Sequence, residues 1–189
     1  GARDGIYISA TELSLIQENT TENQRFGVHY MFSYNNTLRG NVSRHNRHGF
    51  ALMESKELVV QDNLAEGNEE HGILFRDAER CVIENNRMIE NGEGFFFFSS
   101  VDNKIIGNHV IRNEVGAKVW AGSKRNLVED NLFVGNKQQI FYTSTQPLDW
   151  GRSGVGNYWS DYFGWDQDGD GVGDRPYRVD GFTSNLTYR

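Results

Sequence analysis

Residues 41–73 read NVSRHNRHGFALMESKELVVQDNLAEGNEEHGI, and within this stretch the sequence repeats. Asn41 returns as Asn63, Asn46 as Asn68 and Gly49 as Gly72, at intervals of 22, 22 and 23 residues. Followed outward, the same register covers residues 5–138. Gly5, Gly27, Gly49, Gly72, Gly94 and Gly116 form one series, and Asn19, Asn41, Asn63, Asn86, Asn108 and Asn131 a second. Asn46, Asn68, Asn91, Asn113 and Asn136 form a third. A fixed period in the low twenties marks a solenoid, whose repeats bury their apolar sides only against their neighbours.

Periodicity inside the repeat selects the kind of solenoid. Positions one and three past each glycine are apolar throughout, as in Val28 and Tyr30, Phe50 and Leu52, or Phe95 and Phe97. That is strand alternation. A second apolar site lies three residues before the second series: Ile16, Leu38, Val60, Ile83, Ile105 and Val128. No segment sustains a helical period, and a leucine-rich repeat would need leucines where these mostly β-branched residues stand. The reading is all-β, a right-handed parallel β-helix with three short strands per coil over residues 1–142. Asparagine and glycine suit its tight bends because they tolerate left-handed backbone. Asparagine amides can also form ladders from coil to coil, at a spacing of about 4.8 Å.

Composition narrows the function. The chain has 189 residues, which suits one domain, and a net charge of −7 with the acidic residues scattered. The absence of a basic face argues against non-specific nucleic-acid binding. No apolar run approaches the roughly 18 residues of a membrane span, so no membrane insertion of its own is expected. The chain opens in mid-pattern, with a coil already at Gly5, so it is expected to be cut from a longer chain with earlier coils and any targeting signal. Cys81 is a lone cysteine at the offset of Leu58 and reads as a small buried hydrophobe.

After Asn136 the rhythm breaks, and residues 143–189 read as a C-terminal cap. Trp150, Tyr158, Trp159, Tyr162, Phe163, Trp165 and Tyr177 are expected to pack over the last coil. Inside the cap, Asp166, Asp168, Asp170 and Asp174 occupy positions 1, 3, 5 and 9 of a calcium-type loop. Gly171 provides the sharp turn and Val172 a backbone carbonyl. The bidentate glutamate is replaced by Tyr177, so Asp161 or Asp180 would have to substitute. A structural Ca²⁺ that locks the cap is expected.

The run Asn157-Tyr-Trp-Ser-Asp-Tyr162-Phe-Gly-Trp-Asp166, continued through the acidic loop to Tyr177 and preceded by Gly/Asn coils, resembles the C-terminal signature of the NosD family. The resemblance implies a periplasmic, non-enzymatic β-helical accessory protein. It also implies association with the NosF/NosY ABC transporter and a part in assembling the copper–sulfide centre of nitrous oxide reductase. The reductase itself, or a copper chaperone, is a further implied partner.

The outward faces bear on the same question. Two past each glycine stand Tyr7, His29, Ala51, Leu74, Phe96 and Lys118; four past stand Ser9, Met31, Met53, Arg76, Phe98 and Trp120. An exterior stripe of His29, Met31, Met53, Leu74, Phe96, Phe98 and Trp120 is expected to be a partner surface. Met31 and Met53 on adjacent rungs with His29 offer thioether and imidazole to transient Cu⁺. His48 and His71, each just before a glycine, should stack about 4.8 Å apart with His45 nearby, and these three histidines are a second set of expected copper contacts. The alternative class is a secreted β-helical module that binds or cleaves polysaccharide. It needs convergent carboxylates, yet Glu54, Asp77 and Glu79 lie beside Arg76 and Arg80 with nothing stacked on the next coil.

Overall fold

The structure is a computed structural model that describes residues 3–120, 122–144, 148–151, 154, 156–178 and 187–188. Three parallel sheets wrap one core, with strand order following the coils. The first sheet has seven strands: Asp4–Ser9, Phe26–Met31, His48–Met53, His71–Arg76, Glu93–Phe98, Val115–Val119 and Gln138–Tyr142. The second runs from Leu15–Gln17 to Leu127–Glu129 in six three-residue strands. The third runs from Thr20–Glu22 to Tyr158–Trp159. The fold is the parallel β-helix read from the repeat.

The inward columns are buried as expected. Val28, Phe50, Ile73, Phe95 and Ala117 stack in one column, and Leu38, Val60, Ile83, Ile105 and Val128 in another. Phe75 and Phe97 stack with ring centroids 4.5 Å apart. Cys81 is buried, and burial pushes its thiol up to about 11. The glycine column exists because of close approach between coils. A Cβ on Gly72 would lie 2.8 Å from the carbonyl oxygen of Gly94 and 2.8 Å from Met88 Cγ.

The asparagine ladders form, but the bend chemistry differs from expectation. The left-handed residue is the one before each laddering side chain: Glu18, Gly40, Asp62, Asn85, Gly107 and Asp130 precede the second series. The asparagines themselves turn inward and tie the coils together. Asn86 Nδ2 donates to Val60 O at 2.8 Å, Glu84 O at 3.0 Å and Asn108 Oδ1 at 3.0 Å. Its Oδ1 accepts from the backbone N and Nδ2 of Asn63 at 3.0 and 2.9 Å. Two more columns follow the same rule. Asn36, Asn103 and Asn126 form one that Leu58 and Cys81 interrupt. Ser33, Ser55, Ser100 and Ser123 form the other.

The coils run past the expected boundary at residue 142. Leu127 bridges to Asp149, and Tyr158–Trp159 joins the third sheet with Asn157 extending the asparagine ladder. Trp159 is buried between Phe133 and Tyr177, at 4.5 and 4.4 Å between centroids, and Trp150 is buried beside it. The other cap aromatics do not all cover the core, because Tyr158, Phe163 and Trp165 are exposed at 57%, 92% and 74%.

Asn86→Ala removes the partners of several buried backbone and amide groups at once, each costing about 1–3 kcal/mol when left unpaired. A loss of at least about 3 kcal/mol in urea unfolding is expected, and a loss under about 1 kcal/mol would contradict the ladder's role.

Candidate functional site

The outward side of the first sheet is built by the same coil register. Met31 pairs with Met53, Met53 with Arg76, and Arg76 with Phe98, so the expected stripe is a true column. Each glycine faces the interior, as does the residue after it. This interrupts the alternation and turns the residue before the glycine outward too. Asp4, Phe26, His48, His71 and Glu93 therefore form an unexpected column beside the stripe.

The rings of the two columns interleave. Successive centroids run 5.1 Å from Tyr7 to His29, 4.4 Å to Phe26, 4.6 Å to His48, 4.9 Å to His71 and 4.8 Å to Phe96. Lys118 Nζ closes the ribbon, 5.4 Å from the Phe96 ring and 5.2 Å from that of Trp120. Phe26, Ala51 and Leu74 are buried as a small second cluster, with Met53 and Phe96 packed against it. The stripe is thus partly covered by its neighbours. His29 and Leu74 point outward but are only 5% exposed, whereas Met31, Met53, Phe96 and Phe98 are half-buried and Trp120 is 41% exposed.

Charged groups sit at fixed points along the ribbon. Asp4 takes two bonds from Arg25, at 2.9 and 2.8 Å, and lies 3.1 Å from His29 Nδ1. Met31 Sδ accepts from the Tyr7 hydroxyl at 3.7 Å. His48 and His71 stack as expected, and the site gains Glu70, which sequence reasoning missed. Glu70 Oε2 lies 3.8 Å from His48 Nε2 and 3.9 Å from His71 Nε2, while Oε1 accepts from Arg47 at 2.7 Å. Glu93 bridges His71 Nδ1 at 2.9 Å and Lys118 Nζ at 2.6 Å. Burial alone would raise the Glu93 carboxyl, but His71 and Lys118 outweigh it and hold it low. Burial, with His71 alongside, pushes the His48 imidazole down to about 4. His45 does not join this group: it is exposed and left-handed, against Gly67.

The acidic residues weighed for sugar chemistry lie on corners. Glu79 pairs with Lys56 at 2.7 Å and with Arg80, and Asp77 lies 4.0 Å from Arg76. In the cap, the Asp166, Asp168 and Asp170 carboxylates converge within 4.8 Å. Asp166 accepts from the backbone of Gly169 at 2.7 Å and of Gly171 at 3.0 Å, both left-handed glycines. Asp174 instead accepts from the Gln167 backbone at 2.7 Å, and Val172 N donates to Asp170 at 2.7 Å. Asp161 is not in the loop; it accepts from the Tyr177 hydroxyl at 3.1 Å and from Gln139 Nε2 at 3.2 Å, tying cap to coil. Asp180 lies outside the described residues.

Residues 1–164 match the family described as "Periplasmic copper-binding protein (NosD)". The chain belongs to the NosD family. It is 40% identical to a "Probable ABC transporter binding protein NosD" of Stutzerimonas stutzeri, covering 68% of this chain and 33% of that relative. A protein of the same description from Pseudomonas aeruginosa is 39% identical, with 66% and 32% covered. The chain thus spans about a third of the length of these curated relatives. A crystal structure of the periplasmic alginate epimerase AlgG, a double mutant, superposes with a TM-score of 0.70 at 18% identity, covering 76% of this chain and 36% of that one. That likeness concerns the fold. The NosD match takes in the whole ring ribbon and stops ahead of the acidic loop.

His48 makes stability depend on pH. The unfolded chain titrates this ring near 6.5 and the folded one near 4, so between those values the unfolded state binds more protons. Stability therefore falls as pH drops through that window. His48→Gln is expected to reduce the slope between pH 6.5 and 4.5, without abolishing it, because Glu70 and Glu93 add their own loss of stability as they protonate in the unfolded chain toward 4.5. Urea midpoints of chelator-treated protein across that range test it, and an unchanged slope contradicts it.

Proposed function

We propose that this chain is part of a periplasmic accessory protein that docks an ABC transporter of the NosF/NosY type as a non-catalytic scaffold. Its service is assembly of the copper–sulfide centre of nitrous oxide reductase, with the reductase or a copper chaperone as the further partner. The observation that carries the reading is the apolar, ring-lined outward face of the first sheet, mounted on a rigid rod. The names of the NosD relatives support the transporter as partner, and the family description supports the periplasm and copper. No helix of the described residues is long and apolar enough to cross a membrane. Transient Cu⁺ contact belongs to the same reading, with Met31 and Met53 as soft donors on adjacent rungs.

A pre-ordered surface loses little conformational entropy on docking, so its exposed anchors carry the affinity. Phe98→Ala combined with Trp120→Ala is expected to leave the circular dichroism and melt unchanged while weakening transporter binding at least about thirtyfold, the equivalent of ~2 kcal/mol. Glu54→Ala, Asp77→Ala and Glu79→Ala are expected to have little effect. Co-purification with the transporter subunits and reductase maturation in a strain lacking the native protein are the readouts. Normal binding and maturation by the aromatic double variant, with loss in an acidic one, would favour the polysaccharide-cleaving alternative.

The cap loop supports a second, structural role. Three converging carboxylates on the calcium-loop spacing, with left-handed Gly169 between two of them and left-handed Gly171 directly after the last, suit a Ca²⁺ that clamps the cap. Chelator is expected to lower the melting temperature of wild-type protein, calcium to restore it, and Asp170→Ala to abolish the response. A melt indifferent to both additions would leave the loop an ion-free turn.

A further inference from the structure

We propose that Arg76 is the charged anchor of the first-sheet face, and that the transporter segment seated there brings a carboxylate to it. The inference rests on the docking reading and adds to it the chemistry that the partner must present.

Arg76 stands in the middle of the outward column, paired with Met53 on one adjacent rung and with Phe98 on the other. Its side chain is 58% exposed, and among the described residues its guanidinium makes no hydrogen bond. Its ion pair is loose, with Nε 4.0 Å from Asp77 Oδ2, beyond hydrogen-bond reach. Arginines elsewhere on the rod are committed: Arg25, Arg47, Arg112 and Arg125 each meet a carboxylate at 2.6–2.8 Å. The other basic groups of the outward columns are committed as well. His29 Nδ1 lies 3.1 Å from Asp4, and Lys118 Nζ lies 2.6 Å from Glu93. Arg76 is the cation of this face that lacks a close counter-ion.

That placement matters once the face is covered. A partner packed on Met53 and Phe98 takes the guanidinium between them out of water. A charge desolvated alone is strongly unfavourable, whereas one met by a hydrogen-bonded opposite charge can be net favourable. Asp77 comes nearest to Nε and leaves both terminal amino groups without an acceptor. The planar fork of an arginine matches a carboxylate through two parallel hydrogen bonds. The partner that fits is therefore an apolar protein segment with one Asp or Glu set among the side chains that pack on Phe98 and Trp120. The chain's net charge of −7 repels acidic proteins in general, so one local cation selects a carboxylate at one place.

Affinity for the detergent-solubilised transporter, measured at low and high salt, tests the assignment. Arg76→Met keeps the column apolar and is expected to leave circular dichroism and the melt unchanged. It is expected to weaken binding at least about thirtyfold and to reduce the salt dependence of the affinity. Arg76→Glu is expected to weaken binding further. Arg76→Lys treated with a carbodiimide, which condenses an amine with a carboxylate, is expected to give a crosslink from position 76 to a transporter Asp or Glu. Binding that Phe98→Ala with Trp120→Ala weakens, while Arg76→Met and Arg76→Glu match wild type, overturns this inference and leaves the docking reading standing. Binding indifferent to all of these variants overturns both. Vesicles containing phosphatidylglycerol that capture wild type but not Arg76→Met would also overturn it, in favour of a lipid phosphate.

Discussion

Everything in this molecule depends on the hydrogen bond from one asparagine amide to the next, one coil further on. An unpaired amide inside the rod would have no water to turn to, so each inward asparagine is tolerable only because its neighbours complete it. Asn41, Asn63, Asn86, Asn108 and Asn131 satisfy this in an unbroken run, and Asn157 continues it into the cap. The ladders also hold the corners. Glu57, Asp77, Arg80 and Glu90 adopt left-handed backbone without being glycine, a strain that persists where surrounding bonds over-determine the conformation. Four such corners recur in each regular coil, which is why the period varies by at most one residue.

A locked coil spacing turns sequence columns into physical contacts on the outside as well. Aromatic and imidazole rings on adjacent rungs meet at 4.6–5.1 Å because the coil spacing sets their separation. Ion pairs follow the same rule along the corners, as in Arg80 with Glu57, Arg112 with Glu90 and Arg125 with Asp102. Those exposed pairs contribute little to stability individually. The ribbon of rings matters more, since it lines the outer face of the first sheet with stacked aromatic and imidazole side chains.

The fold was legible because glycine and asparagine recur at positions where few other residues fit. Inward burial of Phe50, Ile73, Phe95 and Phe97 followed directly from alternation. Alternation failed at the glycines themselves, where the interior-facing Gly resets the phase and turns Phe26, His48, His71 and Glu93 outward. Their coverage of His29 and Leu74 was therefore hidden, as was the approach of Glu70 to the histidines, which needs a corner geometry that strand periodicity does not encode. The serine ladder was visible as a further 22- or 23-residue series from Ser33 to Ser123, broken once at Ala78. In the cap no repeat exists to read, and Phe163 and Trp165 looked like core by composition while standing in solvent.

On the docking reading proposed above, this locked face, rather than the cap, is what the transporter contacts. Hydroxyl-radical footprinting reports side-chain accessibility residue by residue and tests it directly, on the protein alone and with detergent-solubilised transporter. Met31, Met53, Phe98 and Trp120 are expected to lose reactivity in the complex while Phe163 and Trp165 keep theirs. Protection of Phe163 and Trp165, with the first-sheet residues unchanged, would contradict it.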